Sequence, residues 1–355
     1  MLEAMIWRFF LVISVLSLLL FAYPGWRLGE WLGWSALGQW ALTLTLFSSQ
    51  LISRFVLRHR RHWSALVIRR IGDFLLGIAP VLLLSVLVGE LIIGLSLAPA
   101  AWVASSIIVF VLFAGLWGTY CAWRPQVVSV QLDAQPLAQQ VSLVQLSDVH
   151  IGSRSARFLQ GVVSQVNALN PDFVCITGDF IDQTGVEVER FSALAKLTAP
   201  VYFSTGNHEH YEDLPEIIAR LQSLGVTVLR GESVEQAGVQ VIGVDDHSHP
   251  DHLGQVLPQM QMCPDAYRIL MFHRPIGLKH AAAAGVHLML SGHTHNGQIK
   301  PFNWLVRLQF KKLVGLYEQD GTHLYVNQGT GTWGPVMRLG TRCEITHFQL
   351  NPTHA

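Results

Sequence analysis

Five short motifs follow one another in a fixed order: Asp148-Val149-His150, Gly178-Asp179, Gly206-Asn207-His208-Glu209, His273, and Gly292-His293-Thr294-His295. They carry acid, imidazole and amide side chains, and each follows an apolar run that reads as a buried strand. Asp148 and His150 stand two residues apart, so a carboxylate and an imidazole on one loop can grip one cation. Gly178 lets the backbone turn tightly before Asp179, whose carboxylate, placed between two cations, can bridge them. Asn207 offers a neutral hard oxygen, and His293 and His295 can both point from an extended loop into one cleft. Mixed nitrogen and oxygen ligation at this density suits Mn, Fe, Zn, Co or Ni better than Ca or Mg. Two such ions ~3.5–4 Å apart can hold a hydroxide, orient a phosphate and stabilise both oxygens of an in-line attack on phosphorus. His208 stands beside a ligand without being needed as one. It is the candidate to contact the phosphoryl oxygen or protonate the leaving group, help worth ~10²–10⁴-fold in rate. Glu209 and His210 are candidates to orient His208.

Such motifs act together only if strand ends bring them together. From about residue 125 short apolar runs alternate with amphipathic ones. Strands are predicted at 141–146, 173–177, 201–205, 239–244, 268–272, 287–290, 323–326 and 344–350. Helices are predicted at 157–169, 214–224 and 276–284. Residues 127–140 read as a connector with one early strand, and no internal repeat is visible. The alternation predicts an α/β fold with helices over a sheet, whose sites form at the carboxyl ends of strands.

The first 124 residues are different. Apolar stretches at 6–23, 31–55, 71–97 and 101–123 each approach the ~20 residues that cross a bilayer as a helix. Pro24-Gly25 and Pro99 separate two of the pairs, and Trp7, Trp26, Trp31, Trp102 and Trp123 lie near the ends. The expected organisation is a four-span helical domain over 1–124 and a catalytic domain over 125–355. Arg54, Arg58, Arg60, Arg61, Arg69 and Arg70 mark the loop after the second span as cytoplasmic, which puts both termini and the catalytic domain in the cytoplasm. Asp73 and Glu90 fall near the ends of the third stretch, where interfacial water reaches them. The 24 basic and 24 acidic residues balance, so nucleic-acid binding is not expected. Cys121, Cys175, Cys263 and Cys343 form neither a CxxC pair nor a disulfide spacing, as free thiols of a reducing compartment would.

The D-x-H, G-D, G-N-H-E, lone His and G-H-T-H series over roughly 140–350 resembles the calcineurin-like metallophosphoesterases. The Leu-Ser-Asp-Val-His opening and the Gly329-Thr330-Gly331 tail, with Pro335 and Arg338, are similar to its membrane-associated bacterial phosphodiesterase branch. The resemblance implies a four-layer α/β/β/α sandwich with two facing sheets and a dinuclear centre, Mn²⁺ first among the candidate ions. It implies that one ion takes Asp148, His150, Asp179 and His295, that the other takes Asp179, Asn207, His273 and His293, and that His208 is the catalytic histidine. Asn296 departs from the family's pattern, standing where a glycine is usual.

Residues 302–316 mix Phe302, Trp304, Leu305, Leu308, Phe310 and Leu313 with Arg307, Lys311 and Lys312. They read either as a segment lying on a lipid surface, with Trp304 and Phe310 as its anchors, or as a hairpin or helix packed on the core. The leading expectation is a phosphodiesterase of the bacterial inner membrane acting on phosphodiester or lipid-linked phosphate. The alternatives are a lipid-linked pyrophosphatase of the nucleotide-diacylglucosamine hydrolase type, a membrane sensor or transporter with a regulatory soluble domain, and a metal-binding scaffold without activity. Oligomeric state is not indicated.

Overall fold

The computed structural model describes residues 15–56 and 62–352. Part of the first expected span, 6–14 with Trp7, and the loop residues Arg58, Arg60 and Arg61 lie outside the described residues. The chain divides into two compact units, one of Met1–Tyr120 with Gly334–Leu339, the other of Cys121–Trp333 with Gly340–Ala355.

The first unit is helical. A π-helical stretch, Leu18–Ala22, runs straight into α1 (Tyr23–Trp31). The break expected at Pro24-Gly25 is therefore a change of helical pitch: the π-helical stretch before Pro24 absorbs the missing N–H and the helix continues. The chain turns instead at residues 32–35, where the Ser35 hydroxyl caps α2 (Ala36–Leu51) by accepting from the Gly38 N–H. Helices α3 (Trp63–Gly94) and α4 (Ala100–Ala122) follow. Among the described residues only α3 and α4 are long and apolar enough to cross a bilayer. Small residues let these helices approach: a Cβ on Gly89 of α3 would lie 2.9 Å from Trp31 and 3.0 Å from Ile107, and one on Gly115 of α4 2.6 Å from Phe74. Glu90 accepts from Tyr23 Oη at 3.0 Å and from Arg27 Nη2 at 2.7 Å, so this acid is part of an ion pair near the end of its helix. Gly334–Leu339 belongs here too: Met337 is buried against Gly77 and Gly118, and the Arg338 N–H donates to the Gly118 carbonyl at 2.8 Å.

The second unit holds two six-stranded sheets. Strands β1 (Gln126–Asp133), β2 (Val141–Leu146), β3 (Phe173–Thr177), β4 (Val201–Ser204) and β5 (Val226–Val228) join the last strand, β12 (Glu344–Asn351), in the order β1-β12-β2-β3-β4-β5. Strands β6 (Glu232–Gln236), β7 (Val239–Gly243), β8 (Tyr267–Met271), β9 (Leu288–Ser291), β10 (Gly315–Gln319) and β11 (Thr322–Val326) form the second sheet in the order β10-β11-β9-β8-β7-β6. The inner pairs β2–β3, β3–β4, β7–β8 and β8–β9 are parallel, so their carboxyl ends share an edge.

Helices α5 (Ala156–Leu169), α6 (Asn207–Tyr211), α7 (Leu214–Ser223), α8 (His252–Val256), α9 (Leu278–Ala283) and α10 (Asn303–Gln309) complete the unit. Three cores define its layers. One lies between α5 and α7 and the first sheet, around Leu159, Val163, Leu221, Val174 and Ile176. The second joins the facing sides of both sheets, with Leu143, Phe173 and Phe348 against Ile269 and Leu290. The third lies between the second sheet and α8 and α9. Strand β3 (Phe-Val-Cys-Ile-Thr) is buried along its length because it is covered on both faces, as parallel strands between layers are. Strands β5, β6 and β10 were not foreseen from the sequence. β5 has three residues, and β6 and β10 are outer strands without a buried residue, β6 exposing Glu232, Ser233 and Glu235 and β10 exposing Leu316 and Glu318.

Candidate metal centre

The motif loops leave β2, β3, β4, β8 and β9 at one edge of the paired sheets. Their backbones are unusual. Asp148 (φ 53°), His150 (φ 57°), Asp179 (φ 51°), His293 (φ 69°) and His295 (φ 48°) all adopt the left-handed region. For residues with a Cβ this costs roughly 1–3 kcal/mol each, and it persists only where the surroundings over-determine the conformation. Here they do. The Asp148 and His150 N–H groups donate to Gly178 O and Asp179 O, at 3.0 and 3.1 Å, and the Gly331 N–H donates to Asp148 O at 2.9 Å. That last bond gives the Gly-Thr-Gly tail its place, since a Cβ on Gly331 would sit 2.1 Å from Val149 O.

The side chains converge in overlapping groups. Asp148, His150 and His295 form one, and Asp179, His273 and His293 another. His150, Asp179 and His208 lie between, each group having ligand-type atoms within 4.8 Å of one another. In the first group His150 Nε2 lies 3.1 Å from His295 Nε2, which lies 3.2 Å from Asp148 Oδ1. In the second, His273 Nε2 lies 3.1 Å from Asp179 Oδ2 and 3.2 Å from His293 Nδ1. His273 Nδ1 faces the Thr177 carbonyl at 2.8 Å. A carbonyl only accepts, so Nδ1 carries a proton; burial lowers the His273 pKa, but Asp179 and Asp148 raise it to about 10, so a cation would take Nε2 in place of the proton that Asp179 draws to it.

Asn207 Oδ1 is buried without a hydrogen-bond partner. Acceptors converging from carboxylates, imidazoles and one orphaned amide oxygen are what divalent cations satisfy, so the residues fit a metal centre.

Electrostatics tie the groups together. Burial pushes the Asp148 carboxyl up, but His295, His273 and His150 hold it well below the usual carboxylate range. Burial acts likewise on Asp179, and His273 overrides it, so Asp179 is also an anion. Burial, then His273 and Arg274, lower His293 to about 3, keeping its ring neutral and able to ligate.

His208 lies at the edge of this assembly, its ring 4.8 Å from and perpendicular to that of His150, with Tyr211 and Trp333 on other sides. Its backbone N–H donates to Asp179 Oδ1 at 2.8 Å. Glu209 and His210 do not turn to His208. The buried Glu209 carboxylate accepts from the N–H groups of Asp179, Phe180, Ile181 and Gly206 at 2.7–3.0 Å. His210 Nε2 meets Thr205 Oγ1 at 3.1 Å. Glu209 therefore supports Asp179 rather than His208, because its reach from the first turn of α6 matches the backbone of the neighbouring loop. Trp304 stands exposed on α10, whereas Phe310 places its ring 5.1 Å from His293.

Sequence reasoning missed Asp182, which lies 3.5 Å from His150 Nδ1 and accepts from the Ser153 N–H at 3.0 Å. The signal was present as a second acid three residues after Asp179, in Gly-Asp-Phe-Ile-Asp. It also missed Arg274, whose Nε binds Asp246 at 2.9 Å and whose Nη1 lies 3.5 Å from His293 Nε2. Asn296 takes φ 51° where a glycine is usual, and its amide donates to Gln328 Oε1 at 3.2 Å. Asparagine is among the few residues with a Cβ that tolerate this region.

Residues 141–297 match the profile of the calcineurin-like phosphoesterases. An uncharacterised metallophosphoesterase of Helicobacter pylori is 31% identical over 239 residues, 64% of this chain and 65% of that protein. A "Transmembrane protein with metallophosphoesterase domain" of Danio rerio is 34% identical over 256 residues, 64% of this chain and 58% of that protein. An uncharacterised metallophosphoesterase of Aquifex aeolicus is 31% identical over 230 residues, 61% of this chain and 87% of that protein. The matches thus span less than two thirds of the Helicobacter and Danio proteins.

Proposed function

Because the chain belongs to the calcineurin-like phosphoesterase family, we propose that it is a membrane-anchored, metal-dependent phosphohydrolase that cleaves phosphodiesters. One observation carries the reading: two neighbouring sets of ligand atoms, Asp148 with His150 and His295, and Asp179 with His273 and His293, converge at one sheet edge. The reading assigns Asp148, His150, Asp179 and His295 to one divalent ion and Asp179, Asn207, His273 and His293 to another, with Mn²⁺ first and Fe, Zn, Co or Ni as alternatives. When bound, such ions supply Lewis acidity and activate water for in-line displacement.

The chain's own groups do the rest. Asp179 is held by Glu209 through its backbone N–H and accepts the His208 backbone N–H through Oδ1, so one carboxylate fixes both a ligand position and the backbone that carries the candidate catalytic histidine. Burial, then His150 and His273, lower the His208 pKa against the charges of Asp179 and Asp182. At neutral pH its ring is then a neutral donor able to hold a phosphoryl oxygen. The negative charge of a bound phosphodiester raises that pKa again, towards the state that protonates a leaving oxygen.

The reading places the chain in a bacterial inner membrane as a multi-pass protein with the catalytic unit in the cytoplasm. The arginines between 54 and 70 and the apolar helices α3 and α4 support it. Four spans require 15–56 and the stretch before it to supply two crossings besides α3 and α4.

The test is turnover by the purified full chain, stripped of metal and reloaded with Mn²⁺, on an aryl phosphodiester, the corresponding monoester and a lipid pyrophosphate. The proposal expects the diester to have the highest kcat/KM. A preference for the monoester or the pyrophosphate would overturn the diester assignment.

A further inference from the structure

The short helix α10 follows the last ligand motif and leaves its apolar side uncovered. Trp304 is 69% exposed, Leu305 58% and Leu308 85%. These residues stand at i, i+1 and i+4, so they share one helix face, and the half-exposed Phe302 precedes them. A contiguous patch of this kind, rich in tryptophan and leucine, marks a partner surface rather than chance exposure.

The charge around it names the partner. From residue 299 to 317 the chain carries Lys300, Arg307, Lys311 and Lys312 and no Asp or Glu, although the whole chain has equal basic and acidic totals. A large apolar face flanked by cations fits the headgroup boundary of an anionic lipid leaflet. The same chain carries α3 and α4, each apolar enough to cross a bilayer. A tethered surface meets the membrane at high effective concentration, so a short helix is sufficient.

The helix is also fastened to the ligand loop. Thr294 Oγ1, between His293 and His295, donates to Leu313 O at 2.6 Å. Gly297 lies so close that a Cβ there would stand 2.3 Å from Asn303 Cα. Phe310, at the carboxyl end of α10, packs its ring edge-on to His293. We propose that α10 docks on an anionic leaflet through Trp304, Leu305 and Leu308, holding the rim of the metal centre at the level of the lipid headgroups. This docking does not depend on which phosphoester is cleaved.

Collisional accessibility of a spin label tests it. Leu308→Cys is made in the full chain with Cys121→Ser and Cys263→Ser, labelled with a nitroxide and reconstituted in nanodiscs containing phosphatidylglycerol. Gln222→Cys, exposed on α7, serves as the water-facing reference. The ratio of collisions with oxygen to collisions with a nickel chelate is expected to be several-fold higher at position 308 than at 222, and Trp304→Cys is expected to repeat the result. A ratio equal to the reference places α10 in water and overturns the proposal. Exclusion of both colliders also overturns it, because protein then covers the helix, whether a second copy or another part of this chain.

Discussion

Asp179 serves three neighbours: its Oδ2 lies 3.1 Å from His273 Nε2, its Oδ1 accepts the His208 N–H, and its own N–H donates to Glu209. Asp179→Asn removes the charge while keeping the shape. It is expected to lose bound metal and turnover together, measured by elemental analysis and hydrolysis on one preparation. His208→Ala is expected to keep the metal and lower turnover by ~10²–10⁴-fold; full turnover with metal retained would remove His208 from its assigned role. Glu209 is the less obvious residue. Burial and the Asp179 charge raise its pKa to about 7, while the backbone N–H groups of Ile181 and Gly206 favour the anion. Glu209→Gln turns a donor amide towards backbone donors. It is expected to cost about 1–3 kcal/mol of stability, read by denaturant unfolding, and to weaken metal binding. The ligands were legible at this scale because each carries its chemistry in its own side chain and a local motif. The partner of Glu209 was not, because the backbone it satisfies belongs to a loop some thirty residues earlier, at Asp179–Ile181. Asp182 escaped for the same reason: its target, His150, comes from a different strand end.

Loops at strand ends hold their ligands by close approach. A Cβ on Gly206 would lie 2.2 Å from Asp179 Oδ1, and one on Gly292 2.2 Å from Asp148 Oδ2. Gly206→Ala and Gly292→Ala are therefore expected to displace a ligand carboxylate and lose metal while far-ultraviolet circular dichroism stays native. Retained metal in both would show that the loops give way. The central strands and α5, α7 and α9 were readable because buried runs and amphipathic periods are strong local signals. Strands β6 (Glu-Ser-Val-Glu-Gln) and β10 (Gly-Leu-Tyr-Glu-Gln) were not, since outer strands pair by backbone and need no apolar period. The helix before Trp31 misled for a different reason: Pro24-Gly25 reads as a break, and a π-helical run absorbs it.

At the scale of the whole chain, composition already separated an apolar amino-terminal region from an α/β remainder. It did not reveal that Gly334–Leu339, far along the sequence, packs with the first helices. Met337 is buried there against glycines of α3 and α4, which no periodicity announces. If the ligand groups bind ions in the folded state alone, each ion at a hundredfold above its dissociation constant adds about 2.7 kcal/mol. Chelation is then expected to lower the melting temperature of the α/β unit by roughly 5–10 °C for each ion removed, followed by differential scanning fluorimetry. An unchanged Tm would mean that the site does not hold ions tightly.

The most direct measurement is a metal titration of the stripped full chain. Mn²⁺ content is counted by elemental analysis while hydrolysis of an aryl phosphodiester is followed, with Asp179→Asn alongside. The account predicts that turnover appears only as metal binds, saturates at about two ions per chain as a dinuclear hydrolytic site requires, and is absent from the variant. Full turnover in the stripped protein, or in Asp179→Asn, would contradict it.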